Sequence, residues 1–189
     1  AAHQIAINLA SLTFMVPLVV GAAAAVRVGH AAGAADADAA RESSRAALVV
    51  GVGFMCVTAV AFLAVPRAIA AQYTTDLPVL GLAAALIPIA GVFQVFDGIQ
   101  AVCAGILRGL GDTRMPFFIN LAGFWLAGLP VSIVLGFYTP LRAAGLWWGF
   151  VAGLGVVAAL LLYRVRLRLR GPVARTTIEA DLMHFATDP

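Results

Sequence analysis

Val79 to Leu107 reads VLGLAAALIPIAGVFQVFDGIQAVCAGIL, and this stretch decides the fold. It is apolar except for Gln94, Asp97 and Gln100, and it exceeds the roughly 20 residues that carry a helix across a bilayer. Leu, Ala, Gly and Val mix at helical length, whereas barrel strands alternate over segments of about ten residues. Outward from it, gaps between charges define four more spans: Ile5–Val26, Ala46–Val65, Pro116–Gly136 and Ala143–Tyr163. Pro66–Asp76 is a short connection and Arg108–Arg114 a tight, Gly-rich turn. The chain of 189 residues is 62% hydrophobic and 11% charged; soluble domains carry about a quarter charged residues. An ordinary soluble enzyme, a secreted disulfide scaffold and a disordered chain are thereby disfavoured. The sequence predicts an all-α integral membrane protein, a bundle of five transmembrane helices over residues 1–170, followed by a polar cytoplasmic tail, 171–189.

The twelve basic residues are all arginine, against nine acids. They flank the spans, which is where arginine orients helices, so the net charge of +3 is not a sign of nucleic acid. Ten arginines (27, 41, 45, 108, 114, 164, 166, 168, 170 and 175) fall on one side and Arg67 and Arg142 on the other. The positive-inside rule makes the first side cytoplasmic. The chain is therefore expected to start outside and end inside, with Tyr73, Tyr138, Trp147 and Trp148 at the outer interface. Asp36–Arg45 reads as a short juxtamembrane helix. Thr176 and Glu179 match a capping box, with Ile178, Leu182, Met183 and Phe185 as a weak apolar face, so the tail is a surface helix or disordered. Cys56 and Cys103 lie within spans and read as packing residues. Ala1 opens straight into an apolar run with no basic n-region, unlike a signal peptide. Arginine without lysine, with abundant Ala and Gly, points to a bacterial source. An odd number of spans starting outside suits one half of a longer transporter built from two related halves.

Asp97 is the centre of the chemistry. A carboxylate deep in a span costs several kcal/mol unless it is protonated, paired or exposed to a water-filled cavity. Gln94 and Gln100 lie three residues to either side, so a shared polar face on an ion site is expected. In the first span Gln4, Asn8 and Ser11 repeat at helical spacing; they serve interhelical hydrogen bonds or line the site. His3 reads as interfacial. Pro17, Pro88 and Pro130 interrupt three spans and are expected to bend them. Gly145, Gly149 and Gly153 form a smooth packing stripe. Gly109-Leu110-Gly111-Asp112 matches the GxGD pattern of intramembrane aspartyl proteases. On a straight helix, however, Asp97 and Asp112 would stand about 22 Å apart, too far to act as a dyad. No nucleophile elbow, zinc motif or P-loop is present, so the chain reads as no enzyme.

Taken together, several motifs resemble the multidrug and toxic compound extrusion (MATE) family. They are Ala2-His3-Gln4-Ile5-Ala6-Ile7-Asn8, Arg27-Val28-Gly29 with Gly33, Phe93-Gln94-Val95-Phe96-Asp97-Gly98-Ile99-Gln100, and Gly105-Ile106-Leu107-Arg108-Gly109-Leu110-Gly111-Asp112-Thr113 with Pro116. The resemblance covers residues 1 to about 165 and implies helices eight to twelve of a twelve-helix fold, the carboxy-terminal lobe without its first helix. It implies a cation-coupled antiporter exporting bulky, often cationic drugs across the bacterial cytoplasmic (inner) membrane. Asp97 would then match the tenth-helix acid implicated in Na⁺ or H⁺ coupling. No cofactor is implied beyond that ion, and no metal site beyond a Na⁺ at Asp97. The implied partners are small hydrophobic cations, the lipid bilayer and the missing amino-terminal lobe, with no nucleic acid. The aromatic residues Phe93, Phe96, Phe117, Phe118, Phe124 and Trp125 would supply the walls of a drug site. Competing readings are a flippase for lipid-linked oligosaccharides, which would want arginine inside the cleft, and a purely structural or channel bundle.

Overall fold

In the computed structural model the described residues are 1–141 and 143–171. Arg142 and residues 172–189 lie outside them, and with them Arg175, the Thr176–Glu179 capping box and its apolar set. Five long apolar helices match the five expected spans. Helix α1 is Ala2–Gly33, α2 Ala37–Ala64, α3 the short Pro66–Ala71, and α4 Leu77–Gly109. The fourth span combines α5 (Arg114–Ala122), a π-helical segment (Gly123–Gly128) and α6 (Leu129–Phe137), and α7 is Ala143–Arg170.

One boundary differs from the sequence reading. Asp36–Arg45 is not a separate helix but the start of α2, which runs unbroken from its cap. The Asp36 carboxylate accepts from the backbone amides of Asp38 (3.1 Å) and Ala39 (2.9 Å). Neither Gly nor Pro follows until Gly51, so nothing stops the helix as it passes from charged to apolar sequence. The turn before it is tight, with Ala35 in the left-handed region at φ 54°. The end of α4 is a glycine stop: Gly111 has φ 77°, and the Asp112 amide reaches back to the Leu107 carbonyl at 2.8 Å.

Helices α1 and α4 run parallel and form the centre. Thr13 meets Gln94, Gly21 meets Gly105, and Gly29 meets Gly109, so contacts advance in the same direction along both helices. A methyl at Gly105 would overlap the Gly21 carbonyl, and one at Gly109 would stand 2.7 Å from the Ala25 carbonyl oxygen. Only glycine lets these two backbones approach so closely. Helix α2 packs on the same pair. The fourth span rests on α7 along the predicted stripe, with Gly149 against Ser132 and Gly153 against Gly128. Large apolar side chains such as Val57, Val60, Leu63 and Leu126 point outward, as a lipid-facing surface requires.

At the arginine-rich end, the buried Asp112 carboxylate pairs with Arg164 at 2.8 Å and Arg168 at 3.6 Å. The Arg41 guanidinium donates to the Leu169 carbonyl at 2.8 Å. The start of α2, the α4–α5 turn and the end of α7 therefore share one end of the bundle, in agreement with the grouping of these arginines in the sequence.

Candidate functional site

Asp97 lies near the middle of α4 and lines a cavity of about 410 Å³ between α1, α4 and α7. Ser11 and Phe14 of α1 contribute to its wall, with Phe93 beside the acid and Trp147 and Phe150 from α7. Phe124 closes it from the π-helical segment. A larger cavity of about 850 Å³ adjoins it toward the chain-start end and shares His3, Phe124, Trp147 and Phe150. Trp125 and Phe137 extend its aromatic wall.

Trp147 holds these walls together. It is 5% exposed, and its ring meets His3 at 5.6 Å, Phe93 at 6.0 Å and Phe150 at 6.5 Å, each edge-on. The sequence reading put Trp147 in an interfacial belt; it is a buried core residue. His3, read as interfacial, lines both cavities. Of the aromatics expected in the walls, Phe93, Phe124 and Trp125 are there. Phe96 instead lies against Gly155, and Phe117 and Phe118 form an exposed pair of rings.

The three polar residues of α4 do not share a face. Three residues along a helix turn the side chain by about 60°, so positions 94, 97 and 100 fan over about 120°. Gln94 is fully buried between α1, α2 and α4, where it accepts from the Thr13 hydroxyl (2.7 Å) and donates to that of Thr58 (2.9 Å). It does not line the cavity. Gln100 turns the other way and donates to the Asn120 side chain of α5. Gln4 and Asn8 are exposed on α1, outside the Asp97 cavity. Pro17 and Pro88 sit inside continuous α1 and α4. Pro130 is the second residue of α6, two positions after the end of the π-helical segment, whose wider turn accommodates the missing donor.

None of the ion pairs among the described residues involves Asp97, and no arginine lines either cavity. Among those residues no group of three or more His, Cys, Asp or Glu gathers, so an ion at Asp97 would meet one carboxylate. An acid in such walls needs a proton, a cation or water. Among the described residues, the arginine that a phosphate-holding flippase site requires is not in these walls.

The MatE family profile matches residues 1–134 of the chain. The chain belongs to the MatE family. Multidrug resistance protein NorM of Burkholderia vietnamiensis is 45% identical over 179 residues, which is 92% of this chain and 39% of that protein. Multidrug resistance protein MdtK of Pectobacterium atrosepticum is 37% identical over 184 residues, 95% of this chain and 40% of that one. The crystal structure of the eukaryotic MATE transporter AtDTX14 superposes with a TM-score of 0.82 at 26% identity, covering 88% of this chain and 37% of that chain. An inward-facing MATE multidrug resistance transporter superposes at 0.78 with 17% identity over 87% of this chain and 38% of that one, and shows the shared fold. The chain thus spans about two fifths of the length of the curated relatives it matches. With five membrane-capable helices and bacterial relatives, this MatE chain is a multi-pass protein of the bacterial cytoplasmic membrane.

Proposed function

We propose that the chain is the carboxy-terminal, five-helix part of an antiporter that exports bulky, often cationic drugs, driven by Na⁺ or H⁺. The observation that carries this reading is Asp97, a carboxylate on an aromatic cavity within a membrane span, with no arginine of the described residues lining that cavity. One buried negative charge cannot favour two cations equally at once, so entry of the coupling ion weakens the hold on a cationic drug. Ionised Asp97 helps hold the drug; protonated or Na⁺-occupied Asp97 releases it. The larger aromatic cavity suits the apolar body of such a ligand.

The missing amino-terminal lobe completes the transporter. Gln4 and Asn8, exposed on an otherwise apolar span, are costly against lipid, which supports that face of α1 turning toward a watery cleft between lobes. The arginine-rich end is the cytoplasmic one.

Asp97→Asn in the full-length protein keeps the shape and removes the charge. It is expected to abolish ion-driven efflux of a planar aromatic cation from cells while membrane insertion and yield stay at wild-type levels. Wild-type efflux with unchanged dependence on the Na⁺ or H⁺ gradient would overturn the reading.

A further inference from the structure

Gln94 makes a directional chain of hydrogen bonds through three helices. The Thr13 hydroxyl of α1 donates to its carbonyl oxygen at 2.7 Å. Its amide donates to the Thr58 hydroxyl of α2 at 2.9 Å, and that hydroxyl donates to the Met55 carbonyl at 3.0 Å. Such a chain polarises along its length and holds best in a dry interior. Contacts on the same face of α4 flank it. Gly91 lies under Phe62, where an added methyl would stand 3.1 Å from the phenylalanine Cβ; at Gly98 it would stand 2.6 Å from Met55 Cγ. Gly91, Gln94 and Gly98 of α4 therefore meet Phe62, Thr58 and Met55 of α2 as a three-point seam, with the amide at its middle.

Two of the seam's three points, Gly91 and Gln94, lie between Pro88 and Asp97, and the third, Gly98, directly follows the acid. Pro88 lacks the donor that would close the turn back to Ala84, so the outer part of α4 is the part free to bend. Asp97 follows Gln94 by about 4.5 Å along the axis and about 60° around it. Whatever fixes the rotation of α4 at Gln94 also fixes where the carboxylate points. We propose that Gln94 is a positioning residue: by pinning α4 to α1 and α2, it keeps Asp97 facing the α1–α7 cavity and shields it from bending at Pro88. This rests on the reading of Asp97 as the ion-coupling carboxylate.

The pin is separable from stability. When Gln94 is replaced by leucine of similar bulk, the Thr13 hydroxyl turns its single proton to the Ala10 carbonyl, 2.9 Å away, and the Thr58 hydroxyl keeps that of Met55. No buried hydroxyl is orphaned, so folding should survive while the rotational lock is lost. The test uses the full-length transporter in proteoliposomes, with efflux of a planar aromatic cation measured against Na⁺ concentration and against pH gradient. Gln94→Leu is expected to raise the half-saturating concentration of the coupling ion about five- to tenfold. Its maximal rate and thermal unfolding should stay near wild type. Thr13→Val with Thr58→Val should shift it in the same direction, and combining them with Gln94→Leu should add nothing further. Thr58→Val alone, which removes one acceptor and keeps the shape, carries the test should Gln94→Leu fail to accumulate. An unchanged half-saturation in these variants, beside an Asp97→Asn protein that has lost ion dependence, overturns the positioning role alone. An Asp97→Asn protein with intact ion dependence overturns both readings.

Discussion

Two parts of this bundle are built from the same small residues and joined by different means. In the body of α1, α2 and α4, glycine contacts such as Gly21 on Gly105 are supplemented by the Thr13–Gln94–Thr58 chain. Between the fourth span and α7, glycine contacts recur at Gly128 and Gly153, but the polar tie is weaker. Among the described residues it is one long hydrogen bond, from the Ser132 hydroxyl to the Leu146 carbonyl at 3.4 Å. The fourth span also carries a π-helical segment and Pro130. Close backbone packing gives area and dispersion energy without much direction, while buried amides and hydroxyls specify one rotation of one helix. The Asp97 cavity lies at the junction of the two parts, with its acid on the locked side and Phe124 on the other.

The sharpest way to break this comparison is at the α1–α4 crossing. Gly105→Leu has only the Gly21 backbone to push against, so the two helices must separate. Overpacking of a tight core costs about 1–3 kcal/mol where side chains can yield, and more where they cannot. We expect Gly105→Leu to remove folded protein from the membrane fraction, read by size-exclusion of the detergent-solubilised protein; a normal monodisperse peak would show that the crossing tolerates side chains.

A smaller effect is expected where charge supplements packing. Asp112 is 8% exposed and faces two arginines. Asp112→Asn keeps its volume, and hydrogen bonds to charged groups contribute about 1.5–3 kcal/mol. A drop of that size in stability should appear in detergent unfolding, screened little by salt because the acid is buried. Unfolding indistinguishable from wild type would mean that packing alone holds α7 to the α4–α5 turn.

The smallest effect sharpens the contrast by control. At Gly155 an added methyl meets nothing closer than the Phe96 ring at 3.9 Å. Gly155→Ala is expected to change stability by less than about 0.5 kcal/mol, or to raise it slightly through helix propensity. A loss as large as that at Asp112 would show that α7 packs more tightly against α4 than the geometry indicates.

The spans, the clustering of arginines and the central acid were legible because each depends on composition along one helix. The directions of Gln94 and Gln100 were not. Spacing says that three polar groups fan over a third of the helix, but the neighbours of each sector come from how α1, α2 and α5 pack. Trp147 failed for a related reason: a tryptophan near a helix end suits an interfacial belt and a buried core equally, and only the His3 and Phe93 rings across from it decide. The protease pattern around Asp112 says nothing of its partners, whereas Arg164 and Arg168, one turn apart on α7, are the sign in the sequence that a buried acid is paired there.

The unbroken α2 has a mechanical consequence. Its 28 residues make a rod of about 42 Å, against roughly 30 Å of hydrocarbon. About 10 Å of stiff helix therefore extends past the hydrocarbon into the headgroup layer at the arginine-rich end, where Arg41 grips the end of α7. Between that grip and Thr58 the helix is continuous and holds no proline, so a displacement of its tip is carried along one rod toward the middle of the membrane.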